Sequence, residues 1–333
     1  MEIDYSAMTL EEFVKLENVV DFNTTYDAEF REYISDKPYI KVGAIISGGI
    51  VIAYAPLERI PEIFQELQRF YTSQYPFIVG LMDRISMNEA GIIGIHNTPN
   101  IDLRGRGVLL GFVDTGIDYT SPAFCYEDNT SKIAYIWDQG ATGRIPPNSY
   151  FGAEYTKEDI NAALASPNPR EVVPHQDTSG HGTFLASVAG GLEVGDNVGA
   201  APDSEIIMVK LRRAHPFYID TLAINPKAQD AYESTDVMLG VEYIIEKAAS
   251  MGRPVSVCLG LGTNAGGHDG SSLFEKYFYS LVEKTGVALS FAVGNESNSK
   301  HHTSGIISKE GEVADIQLRC DNGVTSFSIT IVV

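Results

Sequence analysis

The sequence has 333 residues, of which 44% are hydrophobic and 20% are charged, and its formal net charge is −20. These values predict a soluble globular protein with one large domain or two modest ones. The strong negative charge argues against non-specific binding to nucleic acid or to anionic membranes, so neither is predicted as a partner. No run of 18 consecutive apolar residues occurs, so no membrane-spanning helix is predicted.

The N-terminus and the cysteines indicate where the chain is made. The first residues are acidic and lack the basic and apolar regions of a secretory signal, which predicts cytoplasmic synthesis without a signal peptide. Cys125, Cys258 and Cys320 are too few and too far apart for a disulfide framework or a zinc site. His301-His302 has no second ligand cluster nearby. We therefore predict no metal site and no cofactor, and calcium binding stays open.

The first 85 residues predict a small α+β unit. Two apolar runs flank Ser47-Gly48-Gly49, which is typical of a β-hairpin, and apolar residues recur at helical spacing after Leu57. The unit is either an ordinary N-terminal domain or a detachable pro-segment, and the pattern alone favours neither. The predicted elements are a helix at 11–16, strands at 39–46 and 50–54, a helix at 57–71 and a strand at 75–81.

A different pattern begins near residue 105, where strands and helices alternate. The apolar run that ends at Val113 is the first strand, and Gly252 ends the strongest helix. Such alternation predicts βαβ units and a parallel sheet, which is an α/β fold. The predicted strands are at 105–113, 132–137, 204–210, 254–260 and 286–293, and the predicted helices follow His181 and cover 235–251 and 272–285.

The last stretch of the chain changes pattern again. Residues 312–318 and 324–331 alternate apolar and polar side chains with period two, and Asn322-Gly323 between them is a hairpin turn signal. We predict antiparallel β structure there, and not a further βαβ unit.

Three polar residues each stand in a glycine-marked turn. Asp114 ends an apolar run before Thr-Gly, His181 within Asp177–Thr183 stands at the start of a helix of small residues, and Asn295 follows an apolar run and Gly294. A hydroxyl nucleophile needs a base such as imidazole, and the imidazole needs a carboxylate that fixes its tautomer. An amide can donate a hydrogen bond to the developing oxyanion. Because parallel strands end at the same edge of a sheet, we expect these side chains to converge in an acyl-transfer site.

Each of these residues also has a structural interpretation. An aspartate after a strand is commonly a turn or cap residue, a lone histidine is commonly structural, and an asparagine after glycine commonly tolerates left-handed geometry in a loop. No dinucleotide site is predicted, because the glycines before the first strand lack the GxGxxG spacing.

The order of the motifs resembles the subtilisin-like serine proteases over residues 105–300. The resemblance implies a subtilisin-like parallel sheet flanked by helices, with Asp114 and His181 as triad members and Asn295 as the oxyanion-hole amide. It also implies that Cys258-Leu259-Gly260 lines the substrate cleft as an edge strand, where a protein or peptide substrate pairs by β-augmentation. The family usually has serine at the position of Cys258. The matching motifs are Val113–Gly116, Asp177–Thr183, Gly199–Pro202, Leu259-Gly260 and Ala292–Asn295.

A narrower resemblance is to the clostridial Csp-type germination proteases. It rests on residues 88–92, 100–107 and 137–139 and on the β-rich segment after Asn295. It implies a small α+β pro-segment at 1–85 bound to a catalytic domain at 86–304, with a jelly-roll-like β insertion beginning at 305–333. It also implies a spore-associated protein with a role in germination.

The nucleophile of the family is the feature that the sequence lacks. Subtilisin-like proteases carry their serine in a Gly-Thr-Ser-x-Ala turn downstream of the asparagine, and no such turn follows Asn295. Three accounts stay open: the serine lies on a further C-terminal part, the chain is a pseudoprotease that binds peptides or regulates partners, or the enzyme uses an unexpected nucleophile. The leading hypothesis is a serine endopeptidase zymogen, with this 333-residue chain inactive by itself.

Overall fold

The structure is a computed structural model. It describes residues 5–67, 78–81, 103–195, 197–222, 230–266, 268–294 and 305–317, together with the single positions 76, 92, 95, 98, 224 and 303. Within these ranges a small N-terminal α+β part precedes a larger α/β part. No helix in the described ranges is long and apolar enough to cross a membrane.

The N-terminal part is an antiparallel sheet of order β1-β3-β2 with short helices around it. The hairpin predicted around Ser47-Gly48-Gly49 is confirmed, and Gly48 and Gly49 both have positive φ there. Phe22, Phe30 and Phe64 form the centre of a small core of edge-on aromatic contacts. The elements are α1 (Leu10–Phe13), β1 (Val19–Thr25), α2 (Ala28–Tyr33), β2 (Lys41–Ile46), β3 (Ile50–Pro56) and α3 (Ile60–Glu66).

The larger part alternates strands and helices as the sequence predicts. Its predicted strands and helices are all present, with ends that differ by a few residues. Strand β4 (Ile78–Leu81) belongs to the unit predicted at 1–85, and the strands of the larger part are β5 (Leu109–Asp114), β6 (Ile133–Asp138), β7 (Ala153–Thr156), β8 (Glu205–Lys210), β9 (Tyr232–Glu233), β10 (Val255–Leu259), β11 (Leu261–Gly262) and β12 (Val287–Phe291). The helices are α4 (Lys157–Leu164), α5 (Pro169–Val172), α6 (His181–Gly190), α7 (Pro216–Thr221), α8 (Ser234–Ser250) and α9 (Leu273–Leu281).

A six-stranded sheet of order β12-β10-β5-β8-β6-β7 forms the centre of this part. All neighbouring strands are parallel except β6 and β7. Helix α8 packs on one face, where Gly240 lies against Val113, and α6 packs on the other, where Ala186 shares a core cluster with Phe112. The predicted α/β class, a mainly parallel sheet flanked by helices, is therefore confirmed.

A second, three-stranded sheet of order β11-β4-β9 lies next to the main sheet. Strand β4 is its middle strand and is antiparallel to both neighbours. Its partners are Tyr232-Glu233 on one side and Leu261-Gly262 on the other. A segment from the N-terminal half of the chain thus inserts between two strands of the α/β part.

The N-terminal sheet also packs directly on the α/β part. Ile50 and Ile52 of β3 belong to the same buried apolar cluster as Met238 of α8. Nη2 of Arg212 lies 3.2 Å from Oδ1 of Asp21 in β1, and this ion pair also joins the two parts. One buried apolar cluster therefore spans the junction between the two parts.

The C-terminal stretch differs from its prediction. Residues 305–317 contain no helix or strand, so the strand expected at 312–318 is not formed over 312–317. Val313 and Ile316 are 80% and 63% exposed, so the period-two pattern buries no apolar face in this stretch. A strand needs a hydrogen-bonded neighbour, and alternation alone does not supply one. The second strand predicted at 324–331 and the turn at Asn322-Gly323 lie outside the described residues.

Candidate active site

Asp114 is the last residue of β5, a central strand of the main sheet. Its side chain is 1% exposed, and the backbone N–H of Thr115 donates a hydrogen bond of 2.7 Å to Oδ1. The strand ends here because Gly116, at φ +116°, takes a conformation that other residues rarely adopt. The carboxylate is thus buried and held by its own turn.

His181 is the first residue of α6, and it faces Asp114. Its Nδ1 lies 2.9 Å from Oδ1 and 3.1 Å from Oδ2 of Asp114. The side chain of His181 is 14% exposed, so one edge of the ring reaches the surface. A carboxylate at Nδ1 directs Nε2 to the opposite side and favours the tautomer with its proton on Nδ1. The structure therefore brings together the two residues that the motifs singled out.

Asp177 joins the two turns through its carboxylate. Oδ1 accepts hydrogen bonds from the hydroxyl of Thr115 and the N–H of Gly180, both at 2.8 Å. Oδ2 accepts from the N–H of Thr183 at 2.9 Å and from its hydroxyl at 2.6 Å. Burial alone would raise the pKa of Asp177, but these hydrogen bonds outweigh burial and lower it. This one carboxylate thus binds Gly180 and Thr183 of its own motif and Thr115 of the other turn, which explains the spacing of the motif Asp177–Thr183.

Two glycines allow the close approach around the pair. A Cβ at Gly182 would collide with the carbonyl oxygen of Gly116 and lie 3.0 Å from Oδ1 of Asp114. A Cβ at Gly260 would lie 3.1 Å from Cε1 of His181 and 3.4 Å from Oδ2 of Asp114. Gly260 therefore lies beside the pair, at the point where the chain leaves β10.

The prediction of an edge strand at Cys258-Leu259-Gly260 is corrected at Cys258, and the substrate-binding role of the three residues stays a prediction. Cys258 lies in β10 and pairs with Phe112 of β5 and with Ser290 of β12, so it has no free edge, whereas the register with β5 ends before Leu259. The chain leaves the main sheet at Gly260, and Leu261-Gly262 forms the pairing edge next to β4. Burial, and then the charge of Asp114, raise the pKa of the Cys258 thiol. The backbone edge that pairs with another strand thus lies at Leu261-Gly262, directly after the predicted segment.

Asn295 lies outside the described residues, so its oxyanion role stays a prediction. The described range before Asn295 ends at Gly294. Within it, the N–H of Ala292 donates a hydrogen bond of 3.1 Å to the carbonyl oxygen of Leu259. The segment that leads to Asn295 therefore begins beside the end of β10.

Several features of the site were not predicted from the sequence. Strand β9, at Tyr232-Glu233, is too short to produce a pattern, and its role as a partner of β4 depends on tertiary structure. His175, a buried neighbour of the Asp114 turn, stands in no motif that indicates chemistry. Over the described ranges, no group of three or more His, Cys, Asp or Glu side chains is arranged to hold a metal ion.

Comparison with known proteins agrees with this geometry. The sequence profile of the subtilase family (Peptidase_S8) matches residues 105–316. The solved structure of the CspB protease of Clostridium perfringens is similar at a TM-score of 0.54 and 37% sequence identity, covering 64% of this chain and 42% of that one.

Two curated plant proteins are also similar in sequence. The subtilisin-like protease SBT2.1 of Arabidopsis thaliana is 29% identical over 186 residues, and SBT2.4 is 32% identical over 98 residues. These matches cover 49% and 26% of this chain, and the chain spans 22% and 12% of the length of the two plant proteins. The family profile covers most of the α/β part, including both motif turns, and the chain belongs to the subtilase family.

Proposed function

We propose that the chain carries the aspartate–histidine part of a serine endopeptidase site. The observation that supports this most is the buried carboxylate of Asp114, with both oxygens within 3.1 Å of Nδ1 of His181. In this proposal Asp114 orients His181, and His181 acts as general base and then as general acid. Asn295 donates to the oxyanion, a contribution of about 3–4 kcal/mol to transition-state stabilisation.

The proposed nucleophile is a serine of the full-length gene product. Its hydroxyl would transfer a proton to Nε2 of His181 as its oxygen attacks the substrate carbonyl carbon. The acyl-enzyme would form when His181 returns that proton to the leaving amine, and water would then release the acid product by the same route. Without such a hydroxyl the chain would bind peptides but not hydrolyse them.

We infer that the N-terminal part is a pro-segment that occupies the substrate groove. Strand β4 pairs antiparallel with β9 and β11, next to Gly260 and the aspartate–histidine pair. An extended peptide substrate binds to strand edges through the same backbone hydrogen bonds. A segment of the chain that holds these edges would exclude a substrate, which is the behaviour of a zymogen with a pro-segment at 1–85 and a catalytic domain at 86–304. On the resemblance of the sequence to the clostridial Csp-type germination proteases we also propose a role in spore germination.

A peptide-binding role without turnover is the second candidate. The pairing of β4 with β9 and β11 uses the backbone alone, so the groove needs no nucleophile in order to hold an extended segment. This candidate predicts that the full-length product binds peptides in the groove and releases them unchanged.

Hydrolysis of a peptide substrate by the full-length product separates the two candidates. We expect turnover in the wild type and its loss in His181→Ala. His268→Ala is the matched control, because His268 is an exposed histidine outside the pair, and it should retain wild-type activity. Equal turnover in His181→Ala and His268→Ala would contradict the proposed mechanism, and binding without turnover in the wild type would favour the second candidate.

A further inference from the structure

A second histidine–carboxylate pair lies directly behind the Asp114 turn, and the proposed mechanism does not use it. His175 and Asp138 are 1% and 4% exposed, and Nδ1 of His175 lies 2.8 Å from Oδ2 of Asp138. The pair has the same groups as Asp114 and His181, but its ring is fully enclosed, whereas the His181 ring is partly exposed. His175 therefore cannot touch a substrate, and any effect on the reaction must pass through its neighbours.

The second ring nitrogen of His175 binds the turn that carries Asp114. The backbone N–H of Ile117 donates a hydrogen bond of 3.1 Å to Nε2. A ring nitrogen that accepts a hydrogen bond carries no proton. Nδ1 of His175 therefore bears the ring proton and donates a hydrogen bond to Oδ2 of Asp138. Both ring nitrogens are thus engaged, and the ring links the end of β6 to a residue three positions after Asp114.

The ring also packs against the turn. A Cβ at Gly116 would lie 3.1 Å from both Cε1 and Nε2 of His175, so the glycine rests on the ring. On its other side the carbonyl oxygen of Gly116 is close to Gly182, the residue after His181. The turn is therefore enclosed between the His175 ring and the start of α6, and a displacement of the ring would move Asp114 relative to His181.

Asp138 is itself anchored to the sheet. Lys210, the residue that pairs with Asp114 in the β5–β8 register, lies 3.5 Å from Oδ2 of Asp138. Burial alone would raise the pKa of Asp138, but the hydrogen bond with His175 and the charge of Lys210 outweigh burial and lower it. The carboxylate thus gives the ring a fixed charged partner at the same sheet edge as Asp114.

We propose that His175, held by Asp138, is a positioning residue that sets the geometry of the Asp114–His181 pair. This inference rests on the proposed function of that pair. The aspartate must hold the imidazole in one orientation during proton transfer, and a misplacement of about 1 Å can reduce the rate about 10²-fold. The hydrogen bond from Ile117 and the packing on Gly116 are the contacts through which His175 exerts this control.

Two polar variants of His175 separate its two contacts. In His175→Asn the shorter amide retains a donor near the position of Nδ1 and still reaches Asp138, but it leaves the Ile117 N–H without its acceptor. In His175→Gln the longer amide places an oxygen near the position of Nε2 and retains that acceptor. A buried histidine that has no positioning role would leave the Asp114–His181 hydrogen bond unchanged in both variants.

The direct readout is the Nδ1–H proton resonance of His181 in this 333-residue chain, assigned by its loss in His181→Ala. We expect the low-field signal of a histidine–carboxylate hydrogen bond in the wild type, an upfield shift with broadening in His175→Asn, and a signal close to wild type in His175→Gln. Tyr277→Phe is the matched control, because it removes another buried hydrogen bond, from the Tyr277 hydroxyl to the carbonyl oxygen of Met238 in α8. It should lower the melting temperature but leave the signal unchanged.

Two results would overturn the proposal: a His181 signal in His175→Asn that equals the wild type, or a shift in His175→Gln as large as in His175→Asn. The spectrum does not depend on turnover, so it decides the positioning role even if the full-length product proves to be no protease. Where that product does hydrolyse peptides, His175→Asn should lower kcat about 10²-fold at unchanged KM, because the groove strands are untouched.

Discussion

At the scale of single residues, the site depends on how Asp114 is held. Its carboxylate accepts from Thr115 and contacts Nδ1 of His181, and Asp177 ties the two turns together. The charge of Asp114 and its position are separate contributions, and they can be tested by separate substitutions.

Asp114→Asn tests the charge of the orienting residue. Asparagine retains the size of the side chain, but it cannot stabilise an imidazolium and it favours the wrong tautomer of His181. In the full-length product we expect kcat to fall about 10⁴-fold with little change in the melting temperature. Asp269→Asn, at an exposed capping aspartate, is the control and should leave kcat unchanged. A fall of less than tenfold in Asp114→Asn would be inconsistent with its orienting role.

Asp177→Ala tests the connection between the turns. It removes a carboxylate that accepts four hydrogen bonds, so we expect the free energy of unfolding to fall by about 2–3 kcal/mol. Chemical denaturation of the chain measures this. Asp128→Ala, which removes a carboxylate bound to Thr130 on the surface, should lower the free energy by much less, and equal losses would show that Asp177 is an ordinary turn residue.

At the scale of elements, the groove strand β4 and the junction with the N-terminal sheet are coupled through β9. Glu233 of β9 pairs with Ile78 of β4, and its side chain lies in a buried acidic cluster with Asp21, Asp236 and Arg212. The atoms of this neighbourhood that lack a hydrogen-bond partner in the described structure are Asp21 Oδ2, Glu233 Oε2, Thr235 Oγ1 and Asp236 Oδ1.

This cluster predicts that the fold is more stable in mild acid. Burial, and then the charge of Asp21, raise the pKa of Glu233 well above its usual range, and burial raises the pKa of Asp236 to about 6. A carboxyl group with a raised pKa stabilises the fold in its protonated form. That contribution is fully present below the unfolded-state pKa and is lost as the pH rises through the folded-state value.

We therefore expect the free energy of unfolding to fall as the pH rises from about 4 to 8, by at most about 3 kcal/mol from Asp236. Denaturant titrations at several pH values measure this dependence. Asp236→Asn, which still accepts from Arg212, should flatten it, and Asp269→Asn should not. A stability that rises over the same interval would contradict the assignment.

The pairing of β4 with two strands predicts slow amide exchange in Ile78–Leu81, although the strand has only four residues. Amides of Ile78–Leu81 that hydrogen-bond to β9 and β11 should exchange at rates similar to those of the two partner strands. Hydrogen–deuterium exchange with mass spectrometry gives these rates, and residues 305–317, which have no helix or strand, are the internal reference. Exchange of 78–81 as fast as that of 305–317 would exclude a bound groove strand.

At the scale of the whole molecule, the sequence predicted the α/β sheet and the meeting of Asp114 with His181. The sheet follows from local patterns, because apolar runs define the strands, and Asp114 lies at the edge where the parallel strands end. His181 begins a helix, and its meeting with Asp114 was expected from the order of the motifs. The N-terminal α+β part was also predicted, from a hairpin and a helix, but β1 was not. Asp21 and Asn23 interrupt its apolar run, and both are buried only because the strand lies at the junction.

The remaining features depend on contacts between distant parts of the chain. Whether Cys258 lies on an edge depends on β12, which pairs with β10 from later in the sequence. The insertion of β4 joins residues about 150 to 180 positions apart, and no local pattern encodes such partners. His175 is a further example, since only the fold brings its ring beneath Gly116. Local patterns therefore predicted Asp114 and His181, whereas the pairing of β4 with β9 and β11 depends on tertiary contacts.

The central claim is that His181, oriented by Asp114, activates a serine hydroxyl of the full-length product. Covalent labelling by a fluorophosphonate probe tests this most directly, because only an activated hydroxyl reacts. We predict rapid labelling of the full-length product after removal of the N-terminal part, none in His181→Ala, and none in the 333-residue chain alone. Equal labelling of the wild type and His181→Ala, or labelling of the 333-residue chain, would contradict the account.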